Sequence, residues 1–195
     1  MEETKREKTI TLSQLWYSGK KIFKNHQKFN ETVDDVLCLL ECSRKSLKIL
    51  ASEKGLVCGK IQFKDGKKWV DCEVGHIIPG DINRVSNIIC EDALFILLVE
   101  KEASYHRIID DMFHEDFPCI IITGKGQSDV ATRRFLKKIV DENKIPVYCL
   151  VDCDPYGIEI YNVYTCGSKG MSYDNLNLAV PGIKLLGVMP EDLTT

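Results

Sequence analysis

Three acidic residues and one glycine-rich turn are the groups best placed by type and spacing to do chemistry. Glu100, the pair Asp152 and Asp154, and Gly124-Lys125-Gly126 each follow directly on an apolar run that reads as a strand. Right-handed crossovers between parallel strands would bring all three tips to one edge of a sheet, where ligands of such sheets gather. Carboxylates converging there repel one another. Hard-oxygen coordination of Mg²⁺ relieves that repulsion and leaves positions open for a phosphate. The alternative is a set of solvated loop carboxylates. Gly124-Lys125-Gly126 lacks the spacing of a Walker A loop, so it is either a tight turn or a place where Lys125 meets a phosphate. Arg133 and Arg134 fall in the first turns of the next helix and face DNA, another subunit or a surface ion-pair partner.

The elements that must position these groups follow from the hydrophobic pattern. Apolar runs at 93–99, 119–122 and 146–151 alternate with amphipathic stretches. The first stretch carries Tyr105, Ile108, Ile109 and Met112, and the second, capped by Ser128, carries Val130, Phe135, Leu136 and Ile139. Continuous apolar strands alternating with such helices predict a parallel sheet covered on both faces. The N-terminal half reads differently. A helix is predicted from Asn30, with Val33, Val36, Leu37 and Leu40 on one face, and a second short one after Ser43, with Leu47, Ile49 and Leu50, ending near Gly55. Leu56–Phe63 and Trp69–Val74 around Asp65-Gly66 then read as a β-hairpin.

Helix, helix, hairpin is the order of a winged-helix module, a helix-turn-helix variant, although any small α+β domain would read the same way. Arg44, Lys45, Lys48 and Lys54, with Lys60, Lys64, Lys67 and Lys68 in the hairpin, are placed either to follow a phosphate backbone or to form a solvated basic face.

Composition bounds these readings. The chain has 195 residues, with 44% hydrophobic and 28% charged, which argues against disorder, a fibrous repeat or a disulfide-only scaffold. Its net charge of −3 (26 basic against 29 acidic residues) gives no global nucleic-acid signature, so any DNA-binding surface is local. No apolar run reaches the roughly 18 residues of a membrane span, and the charged Met1–Lys8 does not read as a signal peptide. A soluble, non-secreted protein is expected. Nine cysteines lie mostly in apolar stretches such as Val36-Leu37-Cys38-Leu39-Leu40 and form no C-x-x-C pair, so buried free thiols in a reducing compartment are expected rather than disulfides or zinc. The four histidines show no ligand spacing.

Three segments together carry a family resemblance. They are Glu100 in Leu97-Leu98-Val99-Glu100-Lys101; Thr123-Gly124-Lys125-Gly126 followed by Asp129 and Thr132-Arg133-Arg134-Phe135; and Val151-Asp152-Cys153-Asp154-Pro155-Tyr156-Gly157-Ile158-Glu159. They resemble a Toprim domain, and more narrowly that of two related groups, the topoisomerase VI A subunits of the type IIB class and the meiotic DNA double-strand-break transesterases. Gly167-Ser168, Asp174-Asn175, Leu178-Ala179-Val180-Pro181, Leu186-Gly187 and Pro190-Glu191-Asp192-Leu193 fit the same family. The resemblance runs from about Leu12 to Leu193.

It implies an α/β chain with an N-terminal winged-helix domain over 10–80 and a Toprim, Rossmann-like parallel-sheet domain over 90–195, shortened at its C-terminal end. The family's nucleophilic tyrosine ends a short motif closing in two aromatics. Trp16-Tyr17 stands there, so Tyr17 is the implied nucleophile. Where the family has an arginine followed by an acid, this sequence has Ser13-Gln14-Leu15, and Lys20 or Lys21 is the cation that would compensate. Glu100, Asp152 and Asp154 are the implied Mg²⁺ ligands, with Mn²⁺ as a substitute.

The implied activity is a DNA-cleaving tyrosine transesterase of the type IIB topoisomerase kind, acting on double-stranded DNA as a homodimer. It leaves a 5′-phosphotyrosyl bond, with Arg44, Lys45, Lys48, Lys54 and Lys125 as DNA contacts. The role expected is the nuclear double-strand break that initiates meiotic recombination. One alternative is a topoisomerase A-type component working with an ATP-hydrolysing B-like subunit, since this chain has no ATP motif. The other is a non-catalytic DNA-binding member. No membrane association is implied.

Overall fold

The computed structural model describes residues 10–23, 25–42, 44, 46–50, 53–168, 171 and 174–193. The chain divides into two units between Ser52 and Glu53.

In the first unit, a short strand β1 (Ile10–Thr11) leads into helix α1 (Leu12–Gly19), followed by α2 (His26–Leu39) and β2 (Ile49–Leu50), which pairs parallel to β1. A capping box starts α1. The Gln14 amide N–H donates to Thr11 Oγ1 at 3.2 Å, and the Thr11 N–H donates to Gln14 Oε1 at 2.9 Å. Helix α2 begins four residues before the predicted Asn30, because the Asn25 side chain accepts the Lys28 N–H at 2.8 Å and fixes the first turn there.

Its buried stripe is Phe29, Val33 and Leu37, while Val36 and Leu40 of the predicted face are exposed. Trp16 packs on the N-terminal end of that helix, 5.5 Å from the Phe29 ring and edge-on to His26 at 5.2 Å. The second short helix predicted after Ser43 is not present among the described residues. Ile49 is claimed by the β1–β2 ladder opposite Ile10, and Lys48 before it adopts a left-handed φ of 58° that an α-helix does not allow.

The second unit holds two sheets. A six-stranded sheet has the order β11-β10-β8-β9-β3-β6, from β3 (Leu56–Gly59), β6 (His76–Ile77), β8 (Phe95–Val99), β9 (Cys119–Thr123), β10 (Val147–Leu150) and β11 (Lys184–Gly187). The four strands β11, β10, β8 and β9 run parallel; β3 pairs antiparallel with β9, and β6 antiparallel with β3. Helices α3 (Glu102–Asp110) and α4 (Phe113–Asp116) link β8 to β9, α5 (Val130–Asn143) links β9 to β10, and α6 (Pro155–Thr165) with α7 (Asn175–Leu178) links β10 to β11.

The parallel α/β core expected from the apolar runs is thus present. Leu97, Val99, Cys119 and Ile121 cluster with Tyr105 of α3 on one face. Ile96, Leu98, Ile120 and Ile122 alternate with them and are equally buried, as a sheet covered on both faces requires.

A three-stranded antiparallel sheet, β5-β4-β7, uses β4 (Gln62–Asp65), β5 (Lys68–Asp71) and β7 (Val85–Ile89). The predicted hairpin exists as β4–β5, but its first strand is shorter than expected. Leu56–Gly59 leaves it and pairs with β9 in the large sheet. Gly59 makes the break possible: its φ is +104°, and a Cβ there would lie 2.2 Å from the Cys119 carbonyl oxygen.

The hairpin therefore belongs to the second unit, and the division after Ser52 differs from the sequence boundaries of 10–80 and 90–195. All nine cysteines are free, and Cys58, Cys72, Cys90, Cys119 and Cys149 are buried as expected. Burial pushes the Cys72, Cys119 and Cys149 thiols up to about 12. Cys38 is exposed instead, because it lies off the Phe29–Val33–Leu37 stripe.

Candidate metal and phosphate site

The order of the parallel strands fixes where the site lies. From β8 the chain goes to β9 on one side and then crosses back to β10 on the other, so β8 flanks the topological switch point, outside whose carboxyl ends ligands bind in such sheets. Val99 at the end of β8 is in register with Thr123 of β9 and Leu150 of β10, so the three strands end level. The next residues are Glu100, Gly124 and Val151-Asp152.

Glu100 ties the three tips together. Its carboxylate Oε2 accepts the Asp152 N–H at 2.8 Å, and its own N–H donates to the Leu150 carbonyl at 3.0 Å. Its carbonyl accepts the Gly126 N–H at 2.8 Å and the Thr123 hydroxyl at 3.3 Å. Thr123 Oγ1 in turn accepts the Lys125 N–H at 3.1 Å.

Asp154 caps α6, accepting the Gly157 N–H at 2.8 Å, with Pro155 in the first turn. The Asp152–Asp154 loop folds so tightly over this helix start that a Cβ on Gly157 would sit 2.2 Å from the Asp152 carbonyl oxygen. Glycine is required there by close approach.

Lysines flank the acids. The Lys101 ammonium lies on Asp152 Oδ2, an ion pair that sequence reasoning did not single out. It is held above the ordinary lysine value, first by the hydrogen bond to Asp152 and then by that carboxylate's charge, with Glu100 and Asp154 adding to the effect. Lys125 reaches back to Glu102 Oε1 at 2.7 Å, and that bond is the main reason the Glu102 carboxyl is held below the usual range. Lys54 donates to the Gln127 carbonyl at 3.0 Å, so it too lies against the glycine loop.

Of the basic residues expected to contact DNA, Lys54 and Lys125 therefore meet at this edge. Arg44 and Lys48 belong to the first unit, where Arg44 is paired with Asp34 at 2.7 Å, and Lys45 lies outside the described residues. Arg133 is 2% exposed rather than at the surface, and its Nη1 faces Met171 Sδ at 3.9 Å. Arg134 lies in a groove with Asn83, Lys137 and Asn177. Tyr17 is 71% exposed on α1, whereas its neighbour Trp16 is packed.

Among the described residues, no group of three or more His, Cys, Asp or Glu is arranged to hold a metal ion. The expected triad is not closed because each acid has another engagement: Glu100 with the Asp152 N–H, Asp152 with Lys101, and Asp154 with its helix cap. The donor chemistry nevertheless fits a hard divalent cation. The side chains are carboxylates carried on adjacent loops, and a cation, the Lys101 ammonium, already stands on one of them.

Residues 95–195 match the family model of the Toprim domain shared by the topoisomerase 6 A subunits with Spo11. The chain belongs to this family. Over 188 residues, 94% of the chain, it is 50% identical to the A subunit of DNA topoisomerase 6 from Arabidopsis thaliana, covering 44% of that protein. It is 51% identical to the A3 subunit of the same enzyme from Oryza sativa subsp. indica, covering 42% of it, again over 94% of the chain. With the human meiotic recombination protein SPO11 it shares 41% over 189 residues, which are 94% of the chain and 47% of the relative. The chain thus spans less than half the length of these relatives. The match begins at Phe95, where the parallel part of the sheet starts, and includes all three acids.

Gly157→Ala is expected to lower stability by about 1–3 kcal/mol, the usual cost of forcing extra volume into a packed position. Urea unfolding of the two proteins measures it. An unchanged midpoint would show that the Asp152–Asp154 loop yields without cost.

Proposed function

We propose that the chain is a DNA-cleaving tyrosine transesterase of the type IIB topoisomerase kind. The observation that carries this reading is the convergence of Glu100, the Asp152–Asp154 loop and the Lys125 loop at the switch point of a Toprim-family sheet. In this reading Glu100, Asp152 and Asp154 hold Mg²⁺, for which Mn²⁺ can substitute. When bound, the ion offsets charge developing on the phosphate and on the departing oxygen.

Lys125 and Lys54 hold the DNA backbone beside the acids, and the N-terminal unit, with Arg44, Lys45 and Lys48, is read as part of the winged-helix, tyrosine-bearing DNA-binding domain of the family. The Tyr17 phenol, exposed on α1, is the nucleophile. Its oxygen attacks a backbone phosphorus, the bond to the 3′-oxygen breaks, and that oxygen leaves with a proton as a 3′-hydroxyl. The product is a 5′-phosphotyrosyl bond that keeps the energy of the phosphodiester, so the step is reversible. Gln14, near the position where the family carries an arginine and an acid, is used in the capping box of α1, so its side chain is engaged with the backbone rather than with the phenol.

The acids and the tyrosine are read as working across a homodimer, each tyrosine with the carboxylates of the other protomer, in the nucleus. Two proteins defective in different halves test this directly. With end-labelled double-stranded DNA and Mn²⁺, Tyr17→Phe and Glu100→Gln are each expected to fix no label after denaturation. Their mixture is expected to fix label on the Glu100→Gln chain, which keeps its tyrosine. A mixture that stays inactive while the wild type transfers label would place both groups in one protomer. Label on Tyr17→Phe alone would remove Tyr17 as the nucleophile.

Two roles share this chemistry. The higher identities to the plant topoisomerase 6 A subunits, 50% and 51% against 41% for human SPO11, favour a chain working with an ATP-hydrolysing B-like subunit over a maker of meiotic breaks. ATP-dependent relaxation of supercoiled DNA, seen only when a B-type partner is present, is the expected result. Breaks that are never resealed under those conditions would favour the meiotic role.

A further inference from the structure

Lys101 is the residue between the Glu100 carboxylate and the first turn of α3, and its ammonium sits on Asp152 Oδ2. The pair lies at the open edge of the sheet, with the lysine side chain 58% and the aspartate 36% exposed. Asp152 is thus held from two sides, its N–H by Glu100 and its carboxylate by Lys101. A monovalent cation on a flexible stem occupies the place proposed for a divalent one.

We propose that Lys101 is a displaceable counter-ion, which neutralises Asp152 until a divalent cation binds and then turns to a DNA phosphate at the same edge. The inference rests on the metal and phosphate reading of this site. Its physical basis is electrostatic. An ammonium and a divalent cation on one carboxylate repel each other, so one must leave, and the lysine is the one on a mobile four-carbon chain. A phosphate beside the ion then offers the freed ammonium an anion within reach.

Lys125 is the contrasting case. It pairs with Glu102 Oε1, which His106 also faces at 3.6 Å, and that acid is not one of the three proposed to take the metal. Metal binding at the three acids therefore exchanges the partner of Lys101 and leaves that of Lys125 in place.

Two measurements on the full chain test this without relying on cleavage. Mn²⁺ affinity, read by electron paramagnetic resonance of the free ion, is expected to be about tenfold tighter in Lys101→Met than in the wild type, because a competing charge is gone. Arg107→Gln, which breaks the 2.9 Å pair with Asp111 farther along α3, is expected to bind Mn²⁺ like the wild type. In the second measurement, the slope of log K for DNA against log salt is expected to be shallower in Lys101→Met by about 0.9 with Mn²⁺ present and equal to the wild type in EDTA.

A Lys101→Met affinity equal to or weaker than wild type overturns the inference, as does a slope difference that persists in EDTA. If the wild type binds Mn²⁺ but the variant shows no gain, the inference alone fails. If neither protein binds Mn²⁺, the metal reading fails first.

Discussion

The hydrogen bond from the Asp152 N–H to the Glu100 carboxylate is the interaction on which the rest of the site depends. A bond to a charged acceptor is worth about 1.5–3 kcal/mol, enough to hold two neighbouring strand tips in one arrangement. The carbonyl of the same residue takes the Gly126 N–H and the Thr123 hydroxyl, so one residue at the end of β8 fixes the loops after β9 and β10 as well. Removing the side chain would leave the sheet intact, since its ladders are made by backbone and covered by apolar residues. The loop after β10 would lose its tie to β8, while the loop after β9 would keep its bonds to the Glu100 carbonyl.

The electrostatic cost of that alignment explains the lysines around it. Three acids brought to one edge raise each other's energy, and surface pairing alone returns little. Lys101 offsets the charge of Asp152 and Lys125 that of the neighbouring Glu102, both with groups that can move. A packed arginine held by buried acceptors would have given a stiffer edge with less capacity to accept another cation or a phosphate. The buried Arg133, on the helix that follows the glycine loop, belongs to the interior instead.

Much of this is legible from pattern. The three apolar runs form β8, β9 and β10, and the acids after the first and third fall where parallel topology puts them, because continuous apolar strands leave a sheet few alternatives. The misread parts share a cause: a partner distant in sequence overrules local propensity. Leu47, Ile49 and Leu50 read as a helical stripe, but Ile49 is taken by a ladder with Ile10. Leu56–Gly59 reads as half of a hairpin, but it pairs with β9, and Gly59 lets the chain turn away against that strand's backbone. The pairing of Lys101 leaves no local signal either. Nothing in Glu100-Lys101-Glu102 says which acid the lysine will choose, and the answer comes from the loop after β10, which only the folded sheet brings alongside.

In the proposed function the strand tips at Glu100 and Asp152–Asp154 are the cation site. Titrating a trace of Mn²⁺ into ¹⁵N-labelled protein and recording which backbone amide signals broaden tests it most directly. Broadening is expected to centre on Glu100, Lys101, Gly124–Gly126 and Asp152–Asp154. Broadening centred instead on the acidic groove of Glu73, Glu91 and Asp92, with the strand tips left sharp, would contradict it.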